Sequence, residues 1–117
     1  MEPEKFSVKD LKEYKDFLEE LRWDITPKIL FEPMFKKQGG SRSLDGYMLY
    51  VDIIENQPVL MIMKNKYGMS ETAAYIEGVP EDLLKETTEC PADECIGGMY
   101  PITKKLEAWL KNELGLS

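Results

Sequence analysis

A chain of 117 residues that is 43% hydrophobic and 32% charged has enough apolar surface to bury a core without disulfides or a metal, which argues against disorder. Its net charge of −7 is concentrated in residues 71–95, where Glu71, Glu77, Glu81, Asp82, Glu86, Glu89, Asp93 and Glu94 face one base, Lys85, while the rest of the chain balances. Such a segment repels a phosphate backbone, and no basic stripe interleaved with aromatics occurs elsewhere, so direct nucleic-acid binding is disfavoured and a basic protein partner is not.

No apolar run approaches the length that crosses a bilayer, and Met1, Glu2, Pro3 and Glu4 are acidic where a signal peptide is basic. With only two cysteines, the expected setting is the reducing cytoplasm, with no membrane association. No repeat, low-complexity tract or long linker divides the chain, so 1–117 is expected to form one domain.

Ser7 has the features of an N-cap, with Asp10 at the capping-box position and Phe6 and Leu11 at the staple positions. Val8, Leu11, Tyr14, Phe17, Leu18 and Leu21 then follow helical spacing, which predicts an amphipathic helix of about four turns beginning at Val8. Between Asp24 and Lys37, Pro27 and Pro33 are read as excluding a regular helix, leaving an extended segment in which Ile29, Leu30 and Phe31 could form a short edge strand.

The polar run Lys36, Lys37, Gln38, Gly39, Gly40, Ser41, Arg42, Ser43 is a loop with three bases that matches no phosphate-binding motif. Residues 46–54 and 59–64, rich in β-branched, aromatic and methionine side chains and separated by Glu55, Asn56, Gln57 and Pro58, predict an antiparallel hairpin. Its alternation is weak: Tyr47, Leu49, Val51 and Ile53 take one face, Met48, Tyr50 and Ile54 the other, and both faces require cover.

Residues 70–79 fit a third strand better than a capped helix. Pro80, Glu81 and Asp82 open a short helix through about Thr87, residues 90–98 are loop, and Leu106, Trp109, Leu110 and Leu114 define a last helix from near Thr103 to the C-cap residue Gly115. The expected fold is α+β: a three- or four-stranded antiparallel sheet with the N- and C-terminal helices packed against it as a two-layer sandwich.

Three groups of residues carry candidate chemistry. Cys90 and Cys95 could approach each other across a proline-containing loop, but four intervening residues are not a thioredoxin spacing, and Glu89, Asp93 and Glu94 oppose a thiolate. Without histidine, zinc would need those acids or a second copy of the loop to complete its ligands. No cofactor is predicted, and zinc at Cys90 and Cys95 is retained as an alternative.

Asp52 interrupts an apolar strand and is read either as a buried site residue or, preferentially, as a rim residue that is solvated or paired with a cross-strand lysine such as Lys64. No catalytic template can be assembled, which leaves enzymatic activity unsupported rather than excluded. Met48, Tyr50, Met61 and Met63 on the two-sided hairpin, and Glu81, Asp82 and Glu86 in the acidic segment, are the candidate interaction residues.

The leading expectation is a non-enzymatic module that binds a protein partner or a second copy of itself, with Tyr50→Asp or Met61→Asp breaking a sheet-face dimer. A metal- or redox-responsive domain is the alternative, and a small-molecule-binding or catalytic domain stands third.

Overall fold

The computed structural model describes residues 4–35, 45–66, 69–89 and 95–116, and it opens with a strand where the sequence predicts none. β1 (Glu4–Ser7) pairs in parallel with residues 74–77, from Glu4 opposite Ala74 to Ser7 opposite Glu77. Ser7 then caps α1 (Val8–Lys12): its hydroxyl accepts from the Asp10 amide at 3.1 Å and the Asp10 carboxylate accepts from the Ser7 amide at 3.0 Å, the expected capping box.

The predicted four-turn helix is broken. Glu13 ends α1, Tyr14 departs from helical dihedrals, and α2 (Lys15–Glu20) follows. The break lets the Tyr14 ring meet Phe6, Phe17 and Tyr47 with centroids 5.4, 6.1 and 6.0 Å apart, and it turns the chain so that the Arg22 amide donates to the Tyr47 carbonyl at 2.9 Å. Tertiary aromatic packing outweighs helix continuation here.

The segment expected to be extended is also corrected, because it forms α3 (Pro27–Phe35). Pro27 occupies the first helical position, where its missing N–H has no intrahelical acceptor to lose, and the Thr26 hydroxyl accepts from the Ile29 amide at 3.3 Å. The helix runs past Pro33 at the expense of the one backbone bond that residue cannot make.

The predicted antiparallel hairpin forms from β2 (Gly46–Ile54) and β3 (Gln57–Lys66), but Gln57 and Pro58, expected in the turn, belong to β3, and the turn is the two residues Glu55 and Asn56, whose φ angles of 51° and 66° suit strand twist. β4 (Met69–Glu77) pairs antiparallel with β3, confirming the strand expected over 70–79. Between Ile62 and Met63 the register slips, so Ile62 faces Ala74 and Met63 faces Thr72, a bulge that leaves Ala73 without an opposite residue.

Pro80 is the residue before α4 (Glu81–Thr88) rather than its first member. β5 (Tyr100–Pro101) adds two residues to β2, and α5 (Lys104–Leu114) begins near Thr103 as expected, with Thr103 as its cap, and ends at the expected left-handed Gly115.

The architecture is therefore α+β, but the sheet has five strands in the order β1-β4-β3-β2-β5 and is mixed, not a three- or four-stranded antiparallel one. One face buries Tyr47, Leu49, Val51, Leu60, Ile62, Ala74 and Ile76 against Leu11, Phe17, Leu84, Leu106, Leu110 and Leu114 from four helices. The opposite face is covered in part by Ile25 and by Leu30 of α3, over Met48, Tyr50, Met61 and Met63. The cover on this second face departs from the simple two-layer expectation. Among the described residues no helix is long and apolar enough to cross a membrane.

Candidate functional site

The four hairpin residues expected to form an interface lie beneath α3. Met48, Tyr50, Met61 and Met63 are all buried, Tyr50 only 2% and Met61 3% exposed, and the Tyr50 hydroxyl is 3.1 Å from that of Thr72. Burial pushes the Tyr50 phenol above its ordinary range. A partner could reach these side chains only if α3 were displaced.

Glu81, Asp82 and Glu86 are exposed on α4, with Glu81 3.3 Å from Lys85 and Glu86 3.7 Å from Lys105. Ion pairs this solvated hold little energy. They shape the local field more than they fix the helix.

Asp52 is neither buried nor paired with Lys64. The cross-strand partner of Asp52 is Val59, whereas Lys64 lies opposite Tyr47 with its ammonium 5.7 Å from that ring. Asp52 instead uses Oδ1 to accept from the Ile53 amide at 2.8 Å. Because Ile54 and Gln57 close a two-residue turn, Ile53 and Pro58 form the non-hydrogen-bonded pair, so the Ile53 amide points to the outer edge of the sheet. β5 pairs only with Tyr50 and Val51, and Asp52 sits where that cover ends, satisfying the next outward donor with a charge that discourages strand pairing.

Cys95 is half-buried ahead of a tight turn in which Ile96 bridges Met99. Cys90 and the loop acids Asp93 and Glu94 lie outside the described residues, as does the basic loop from Lys36 to Ser43. Among the described residues no group of three or more histidine, cysteine, aspartate or glutamate side chains could hold a metal.

Two larger clefts flank the sheet. One, of about 540 Å³, has acids Asp16, Glu19 and Glu20 of α2 on one side and Lys64, Asn65 and Lys66 of β3 on the other. The Asn65 side chain accepts from the Ser70 hydroxyl at 2.7 Å, while its Nδ2 is buried with no acceptor among the described residues.

The other cleft, of about 500 Å³, is apolar and lies at the hairpin end of the sheet. It arises from a mismatch of strand lengths. β3 begins at Gln57, but its pairing with β4 starts only at Leu60 opposite Ile76, and the chain leaves the sheet at Gly78, whose φ is +87°. Residues 57–59 therefore overhang. Ile54, Pro58, Val59 and Tyr75 form the strand wall, and Val79 with Leu84 of α4 forms the other. Val59 and Tyr75 belong to the margin of the methionine face, where they are only partly buried. Lys5 and Glu77, 3.6 Å apart, mark the rim.

This uncovered strip escaped the sequence reading because the residues that make it are apolar strand residues like those that fill the core. The overhang of β3 was the only available signal, and it depends on pairing partners that the sequence does not specify.

Tyr14 shows the structural use of a perturbed group. Its hydroxyl is 3.1 Å from that of Tyr47, and this hydrogen bond, followed by burial, pushes its pKa up from 10.0 to about 12. A phenol held neutral in the folded state contributes stability that is complete below pH 10 and is lost as pH climbs toward 12. Spectrophotometric alkaline titration should show a late phenolate step that Tyr14→Phe removes; superimposable curves would refute it.

Comparison of the chain with family models, with curated proteins and with solved structures finds no match.

Proposed function

We propose that the protein is a non-enzymatic interaction module that docks a protein partner on the strip at the hairpin end of the sheet. The observation that carries this reading is where apolar surface remains once the helices have covered the sheet. Among the described residues four large apolar side chains are exposed, and one of them, Ile54 at 38%, lines the apolar cleft together with Pro58, Val59, Tyr75 and Val79. Contiguous apolar surface with a polar rim is the usual mark of a binding surface, whereas isolated exposed residues such as Ile29 and Met69 need no explanation.

Two surfaces suggested by the sequence meet at this place. At the strip Val59 and Tyr75 from the margin of the second sheet face meet Val79 and Leu84 from the margin of the first, and this far wall belongs to the acidic segment. A homodimer through the same strip would set two copies of that segment against each other, and like charges at a desolvated contact oppose association. A different protein is the better occupant.

The test compares wild type with Ile54→Asp as baits in one lysate, followed by reconstitution with the purified captured protein. The expected result is a partner that binds wild type and loses at least about tenfold in affinity for the variant. Equal affinity of the purified partner for both baits would overturn the proposal.

A further inference from the structure

We infer that the cleft receives an amphipathic helical segment of the partner, with its apolar side chains seated against Ile54, Val59, Tyr75 and Val79 and flanking lysines or arginines directed at Glu77, Glu81 and Asp82. This inference rests on the interaction reading and adds the chemistry of the occupant.

Charge selects a basic partner. The part of residues 71–95 that forms the far wall brings Glu77 to the cleft and Glu81 and Asp82 next to it, with Lys85 the one base of that segment. That base, Lys85, is 3.3 Å from Glu81, and the one base among the cleft residues, Lys5, is 3.6 Å from Glu77. Glu81 and Asp82 occupy the first turn of α4, between the cleft residues Val79 and Leu84. An incoming cation therefore meets a negative field, and a second acidic chain is repelled.

Backbone chemistry selects a helix. An extended peptide docks by adding a strand, and for that it needs unpaired donors and acceptors along an edge. At the overhang Pro58 has no N–H, and on the outer edge of β2 the Ile53 amide already donates to Asp52 at 2.8 Å. A segment entering here must satisfy its own main chain while offering side chains to the cleft, and a helix does both. The cleft volume of about 500 Å³ admits a short row of apolar side chains.

The experiment uses the full chain and two synthetic amphipathic peptides, each with leucines at helical spacing and either lysines or glutamates at the remaining positions. Isothermal titration should give one lysine peptide per chain and no measurable binding of the glutamate peptide. Binding of the lysine peptide should weaken at least about tenfold in Ile54→Asp and again in Glu81→Lys/Asp82→Lys, and should decline with added salt. If Ile54→Asp weakens binding but charge reversal does not, the docking strip stands and the basic occupant is wrong. If Ile54→Asp binds as well as wild type, the peptide is held by acidic surface at large and both readings fall. A dimer in sedimentation that Ile54→Asp dissociates would make the occupant a second copy and overturn the helical partner.

Discussion

Tyr50→Asp is expected to abolish folding rather than to release a partner. Tyr50 is 2% exposed beneath α3, and its ring packs in the cluster formed by Met48, Met61, Met63, Ile25 and Leu30. Removing a buried aromatic side chain costs about 3–5 kcal/mol, and placing an unpaired carboxylate in its position adds several more. A domain of ordinary stability, about 5–15 kcal/mol, has little margin beyond that sum. Met61→Asp, at 3% exposed, should behave in the same way.

The contrast is with Ile54→Asp, where the side chain is 38% exposed at the end of β2 and the change should alter stability by less than about 1 kcal/mol. Urea denaturation followed by circular dichroism separates the two cases. A Tyr50→Asp protein with the wild-type midpoint would mean that α3 does not cover this face, and would return the methionine surface to the list of interfaces.

The second large effect is expected at Gly46. A Cβ built there would stand 2.6 Å from the Glu20 carbonyl oxygen and 3.0 Å from the Arg22 Cγ, with the backbone at φ +133°. The first of these neighbours is main chain and cannot rotate away, so Gly46→Ala must push the end of α2 from the start of β2. The contacts at risk are the Arg22 amide to the Tyr47 carbonyl, 2.9 Å, and the Arg22 guanidinium to the Asp45 carbonyl, 3.3 Å. Strain and overpacking together should cost about 2–5 kcal/mol. Gly78→Ala is the control, because its φ of +87° is also positive but nothing lies within 4 Å. Its loss should be about 1 kcal/mol, the conformational term alone. Equal losses at the two positions would show that the close approach at Gly46 does not constrain the fold.

Local signals were legible wherever a few adjacent residues decide the outcome. Ser7 with Asp10 and the C-cap Gly115 act within one turn of their own position, and both were read correctly, while the turn was placed in the right cluster but two residues too long. Pro27 misled because a proline marks either a break or a helix start, and Thr26, which settles the choice by capping, was not weighed. The bulge at Ala73 blurred β4 for a related reason, since it resets the alternation on which strand recognition depends.

The composition and the periodicity by themselves determined the α+β class, the hairpin, the terminal helix and the placement of the whole net charge in one segment. Tertiary structure alone decided the rest. β1 pairs in parallel with a strand far along the chain, Tyr14 breaks a good helical stripe to reach Tyr47, and α3 settles over a methionine-rich face that the sequence offered to a partner. The candidate site follows from the same source. Ile54, Val59 and Tyr75 look like any other core residues until the strand lengths and the turn at Gly78 leave them at the cleft, and those depend on long-range pairing that no local pattern encodes.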